Sequence, residues 1–180
     1  MRAKTVSQEN VAICFDFDDT LIKTDAKLHI YDRGKYLKSL TPAEFNEFKN
    51  TEKYDLDFSD FRNPNFILKG KKYRGWYTLK AENRKIKLGY NTGDIFVLTA
   101  RTLHTRTAIF RLLKNNSIKI KYENVITLGD DIGEINIADE KRKVLTKLAN
   151  SYQGVRFYDD NEENIELAKS INGVKTILVK

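Results

Sequence analysis

A doubly wound, mainly parallel α/β sheet with a small insertion after its first strand is the fold class that the sequence predicts. Three observations predict it. The stretch Val11-Ala12-Ile13-Cys14-Phe15 is a short, β-favouring apolar run that leads straight into the carboxylates Asp16, Asp18 and Asp19. A run of this length reads as a strand buried on both faces, as strands are inside a parallel sheet. From Asp94 onward similar runs alternate with amphipathic helical stretches, the pattern of strand–helix crossovers. Several of these runs also end in polar residues, as a site at the carboxyl ends of the strands requires.

Residues 23–92 form the least regular part of the chain. Residues 27–38 alternate around Asp32-Arg33-Gly34, a turn signal that predicts a β-hairpin. Thr41, Pro42 and Glu44 stand where an N-cap, a first helical residue and a capping-box acid belong. They predict a short helix with Phe45 and Phe48 on one side. Residues 50–65 are rich in Asp, Asn and aromatics without a period and are expected to form a loop. Residues 79–88 predict a helix ended by Gly89. The run 69–74, followed by Trp76 and Tyr77, mixes charge with aromatic rings. It reads either as a solvated β-edge or as a surface that stacks a nucleotide or single strand.

Beyond this region the pattern is clean. A second strand is predicted over 94–100. The helix over 105–114 shows Leu103, Thr107, Phe110 and Leu113 at one-face spacing. A third strand covers 125–128. Asp139 can cap a helix reaching to 150, with Val144, Leu145 and Leu148 inward. A fourth strand covers 155–158. The helix over 162–172 places Ile165, Ala168 and Ile171 inward and ends at Asn172-Gly173, and 175–180 supply a fifth strand. The expected domains are therefore a core of 1–22 with 93–180 and an insertion, 23–92, placed as a cap or flap over the site.

With 180 residues, 41% of them hydrophobic, the chain is sized for one core with a modest insertion. No stretch approaches the roughly 20 apolar residues of a membrane span, and the polar residues 1–10 lack the apolar region of a secretory leader. The single cysteine, Cys14, excludes an internal disulfide framework, fits a cytoplasmic setting and is expected to be buried packing. The net charge of +7 suits steering of a phosphate ester or nucleic acid, and equally a solvated lysine-rich surface. His29 and His104 form no grouping with zinc spacing.

The chemistry concentrates at strand ends. If the chain stays extended, Asp16 and Asp18 share one face roughly 7 Å apart, which suits two carboxylates flanking one phosphorus atom. Carboxylates buried there need a metal, a held proton, or both. Thr99 and Arg101 close the second strand, and Asp159 and Asp160 close the fourth. Two acids after a buried strand are hard to explain by helix capping alone. Asp130 and Asp131 close the third strand as a rival pair, with Asp130 a candidate lining of the cleft.

Asp16, Asp18 and Thr20, with Leu21 behind them, resemble the first motif (D-x-D-x-T) of the haloacid dehalogenase-like (HAD) superfamily of phosphatases. Thr99 is similar to the second motif, whose hydroxyl bonds a phosphoryl oxygen, and Asp159 with Asp160 to the fourth, which completes a metal site. The resemblance implies a Rossmann-like, HAD-like core and a Mg²⁺-dependent phosphatase working through an aspartyl-phosphate. It makes Asp16 the nucleophile and Asp18 the general acid–base. Thr99 and Lys141 bind the phosphoryl group, with Lys143 as the alternative lysine. Asp16, the Asp18 backbone carbonyl and Asp159 hold the metal; Thr20 and Asp160 support. The family order places the lysine before the acids, which favours Asp159 over Asp130. Arg101 either reaches substrate or pairs with a carboxylate. The expected substrate is a nucleotide, a nucleic-acid end or a small phosphomonoester. From another class, the chain could be a non-catalytic phosphate- or nucleic-acid-binding module that keeps the fold.

Overall fold

A computed structural model describes residues 8–49, 51–129 and 136–180. In chain order it runs β1 (Val11–Phe15), β2 (Ile22–Lys23), β3 (Leu28–Asp32), β4 (Lys35–Leu40), α1 (Pro42–Glu47), β5 (Asp55–Asp57), α2 (Ser59–Arg62) and α3 (Pro64–Lys69). It continues with β6 (Lys71–Lys72), α4 (Gly75–Lys87), β7 (Ile95–Thr99), α5 (Leu103–Asn115) and β8 (Val125–Thr127). The last elements are α6 (Ile137–Ser151), β9 (Gly154–Asp159), α7 (Glu162–Lys169) and β10 (Val174–Leu178).

The central sheet has the order β10-β9-β1-β7-β8, and every neighbouring pair is parallel. Period-2 alternation along β1 sends Ile13 and Phe15 to one face and Ala12 and Cys14 to the other. The first face packs against Trp76, Leu79 and Ile86 of α4 and Ile109 and Leu113 of α5. The second packs against Leu145 of α6 and Ile165 and Ala168 of α7. With helices on both faces, the sheet is the doubly wound α/β fold expected from the alternation. Cys14 lies within it, and burial pushes its thiol well above the ordinary range. Among the described residues, no helix is long and apolar enough to cross a membrane.

The chain moves from β1 outward to β7 and β8, then returns to the far side of β1 to form β9 and β10. The winding direction therefore reverses between β1 and β9. In open α/β sheets the crevice at such a switch point, beyond the carboxyl ends of the strands, is where ligands bind.

Within 23–92, α4 covers the first face of the sheet, and the residues before it build smaller pieces. The predicted hairpin is β3 and β4, closed by Arg33 and Gly34 at φ 48° and 77°. Positive φ at both central residues is the turn geometry that matches strand twist. The capping box at α1 is present in both directions, Thr41 Oγ1 accepting from the Glu44 amide and the Glu44 carboxylate accepting from the Thr41 amide. Phe45 and Phe48 pack on one side against Leu28, Ile30 and Leu40, as expected.

Several expectations need correction. The loop expected over 50–65 contains strand β5, paired antiparallel with β3, then α2 and the start of α3. Three residues are too few to show a period, and the strand exists because β3 offers an open edge. Helix α4 starts before 79, at Gly75, whose amide donates to the Thr20 carbonyl at 2.9 Å. A Cβ at Gly75 would stand 2.8 Å from that oxygen, so the close approach requires glycine. Trp76 is consequently 1% exposed, in the core and not on a stacking surface, whereas Tyr77 is 79% exposed.

Of the expected stripe of α5, Leu113 is buried and Phe110 packs against the core, but Leu103 is 55% exposed and Thr107 is on the outside; Thr105 and Ile109 complete the inward face. Helix α6 is capped by Asn136, not by Asp139, which lies in its first turn. The cap of α7 is Asn161, and that helix stops at Lys169, short of the expected 172. Asp130 and Asp131 lie outside the described residues.

Candidate active site

The ladder between β1 and β9 assembles the site. Its register sets Phe15 beside Tyr158, and the Asp16 amide donates to the Tyr158 carbonyl at 2.8 Å. Asp16 and Asp159 therefore leave the sheet side by side at the switch point. Both are buried. One residue earlier on each strand, the Phe15 and Tyr158 rings stack at 4.5 Å.

Lys141 reaches this pair from α6. Its Nζ donates to Asp16 Oδ1 at 2.6 Å and to Asp159 Oδ2 at 2.8 Å, and its side chain is 4% exposed. Because α6 begins at Ile137, Lys141 stands in the second turn, one turn deeper than the Asp139 cap implied. Lys143 points away, 67% exposed and paired with Glu140. Asp159 also accepts from the Asn161 amide at 2.9 Å and from Asn164 Nδ2 at 3.0 Å. Asn164 was not foreseen; it stands one turn into α7, and nothing in the local sequence distinguishes it from a surface asparagine.

Asp160 is the third acid, and Thr20 Oγ1 donates to its Oδ1 at 3.0 Å. One oxygen from each of Asp16, Asp159 and Asp160 falls within 4.8 Å of the others. The Asp18 carboxylate is not one of these three. It is gripped by Arg101, Nε on Oδ2 at 2.8 Å and Nη2 on Oδ1 at 2.7 Å. Of the two roles open to Arg101, the structure shows pairing with a carboxylate. The same guanidinium donates to Thr24 Oγ1 and to the Phe61 carbonyl, tying α2 to the end of β7. Asp19 takes φ 52°, which turns the chain sharply back so that β2 can follow. Thr99, fully buried at the end of β7, accepts from the Arg101 amide at 3.2 Å. His29 of β3 bonds Ser39 of β4 and lies 3.4 Å from the Asp60 carboxylate of α2.

The electrostatics follow from burial and crowding. Burial raises Asp16 well above the usual carboxylate range; Lys141 opposes this, while Asp159 and Asp160 add to it. Burial alone would depress Lys141, but the Asp159 and Asp16 carboxylates outweigh that and hold its ammonium above its ordinary value. Asp160 is pushed up to about 6, first by burial and then by Asp159. Three clustered carboxylates facing one ammonium leave negative charge in excess.

That donor set fits a hard divalent cation such as Mg²⁺, which prefers oxygen ligands and tolerates few carboxylates plus water. Asp16, Asp159 and Asp160 are the residues that would hold it. A pH dependence follows. An acid whose folded-state pKa is raised contributes stability that is present below its ordinary value, 3.8 for Asp160, and is lost as pH rises through about 6. Metal binding needs the ionised form and so releases protons. Added Mg²⁺ is therefore expected to raise the melting temperature more at pH 7 than at pH 5. An equal shift at both values would show that these carboxylates do not take the ion.

Arg101 carries a second expected result. In Arg101→Met the Asp18 carboxylate loses both of its charged hydrogen bonds, which costs roughly 1–3 kcal/mol. A fall in the urea midpoint would report it, and no fall would show that solvent replaces the pair.

Residues just beyond the ends of the central strands and in α6 and α7, together with residues of the small sheet, α1 and α2, line a cleft of about 670 Å³ that includes Asp18, Arg101 and Lys141. Comparison with known proteins adds little. No family model and no curated protein matches the chain. Among solved structures, the HAD domain of the effector protein Lem4 from Legionella pneumophila is similar at a TM-score of 0.48 and 16% identity. The match covers 96% of this chain and 88% of that one.

Proposed function

We propose that the protein is a Mg²⁺-dependent phosphatase of phosphomonoesters that works through an aspartyl-phosphate on Asp16. The observation that carries this reading is the buried Asp16, held by Lys141 beside Asp159 and Asp160 at the switch point of a parallel sheet. A second acid, Asp18, follows two residues later, with a cleft above.

In this reading the Asp16 carboxylate attacks phosphorus in line, and the bond from phosphorus to the ester oxygen breaks. Asp18 supplies the proton that the leaving oxygen takes up, then removes one from the water that opens the acyl phosphate. Lys141 and the Thr99 hydroxyl face the phosphoryl oxygens and offset their charge. Mg²⁺ bound by Asp16, Asp159 and Asp160 would supply the remaining positive charge. Thr20 keeps Asp160 in register. Residues 28–62 act as a cap whose wall reads the leaving group. A nucleotide, a nucleic-acid end and a small phosphomonoester are the substrates to try.

Phosphate release from an aryl phosphate, with and without a chelator, tests this. Release that stops on chelation supports the reading; release insensitive to chelation would refute its metal dependence. The grip of Arg101 on both Asp18 oxygens favours a second reading, a phosphate-binding module without turnover. Phosphate or phosphonate binding with no hydrolysis of any ester would decide for it.

A further inference from the structure

The two walls of the cleft differ in chemistry. Asp18 and Arg101 stand beyond the ends of the central strands, with Lys141 reaching in from α6; Leu28, Phe45, Phe58 and Phe61 come from the small sheet and its helices, and the Phe61 ring lies 5.4 Å from the Arg101 guanidinium. The three phenylalanines are half-buried. Phe45 and Phe58 meet edge to face at 5.9 Å, and Phe58 and Phe61 are tilted at 6.3 Å. A volume near 670 Å³ lies in the range of small-molecule sites, roughly 300–1,000 Å³. Among the described lining residues the cations are Arg62, Arg101 and Lys141. Two of these are already committed, Lys141 to Asp16 and Asp159 and Arg101 to Asp18.

We propose that the leaving group of the substrate carries a flat, uncharged apolar ring, seated against Phe45, Phe58 and Phe61. The position of the phosphorus rests on the phosphatase reading above. A phosphoryl group at Asp16 and Lys141 leaves its ester body to the cleft, which Lys141 lines together with the three phenylalanines. Aromatic rings arranged edge to face accept a further ring in the same manner, with gain beyond area burial. A polynucleotide fits poorly, because Arg62 is the one described lining cation not already paired with an acid, and each further phosphate needs another.

Phosphonates, whose P–C bond resists hydrolysis, separate binding from turnover. Benzylphosphonate and ethylphosphonate are titrated by calorimetry in the presence of Mg²⁺ against the wild type, Phe58→Ala and Phe58→Leu. The ring is expected to tighten binding to the wild type about tenfold. That advantage should vanish in Phe58→Ala and partly return in Phe58→Leu, which keeps the wall filled. Benzyl and ethyl phosphate, esters of alcohols of similar basicity, then report turnover, with the ring's advantage expected in KM. Ring-selective binding without hydrolysis of either ester would uphold the ring site and refute the phosphatase. Hydrolysis of both esters with no ring preference would overturn the ring site and leave the phosphatase standing. Failure of both phosphonates to bind would overturn the ring site. So would tighter, salt-sensitive binding of a 5′-phosphorylated oligonucleotide that Phe58→Ala does not change.

Discussion

Asp16→Asn is expected to lower Mg²⁺-dependent phosphate release by on the order of a thousandfold or more, because loss of a nucleophile removes the covalent route entirely. The fold should survive. Asparagine has nearly the same shape, can still accept from Lys141, and removes one of three crowded negative charges. Burial already disfavours the ionised form of Asp16, so neutralising it relieves the metal-free protein. Phosphate release and an unfolding curve, measured side by side, separate the two effects. A second readout is the phosphoenzyme itself, which acid-quenched wild type should carry and the variant should not. Residual activity within tenfold of wild type, in a variant that unfolds normally, would remove Asp16 as the nucleophile.

Lys141→Met is expected to destabilise the protein by about 3–5 kcal/mol at pH 7, the usual cost of stranding buried charges whose partner is gone. Lys141 is the ammonium that contacts both Asp16 and Asp159, with a side chain only 4% exposed. Without it two carboxylates face each other in a buried site. The loss should shrink at pH 5, because burial raises Asp16 and favours its protonated form, and shrink again when Asp159→Asn is added. Urea midpoints at both pH values check this. A loss below about 1 kcal/mol at pH 7 would mean that water enters and solvates the acids, and that the ion pairs contribute little net stability.

Much of the architecture was legible because it is written in local pattern. Four of the five core strands run five or six residues and carry apolar stretches, and the helices between them repeat at the helical period. Thr41, Pro42 and Glu44 announce α1 by a mechanism that acts within four residues. Arg33-Gly34 does the same for the hairpin. The errors fall where local pattern is absent or ambiguous. Strand β5 is three residues long and depends on the edge of β3. The inward face of α5 could not be chosen from a helix with apolar residues on several sides. Trp76 beside a basic run looked like surface until the Gly75 amide, bonded to the Thr20 carbonyl, turned it inward.

The candidate site divides along the same line. By itself the sequence determined the parallel α/β class, the strand ends that carry acids, and a short set of residues in which Asp16, Asp18, Thr99, Lys141, Asp159 and Asp160 all stand. Only the tertiary structure decided which of them touch. Lys141 meets Asp16 across 125 residues, Arg101 meets Asp18 across 83 and Thr20 meets Asp160 across 140. A strand or a helix reveals itself through interactions among near neighbours, which spacing records. A contact across the sheet depends on strand order and register, and these are settled by packing of the whole core.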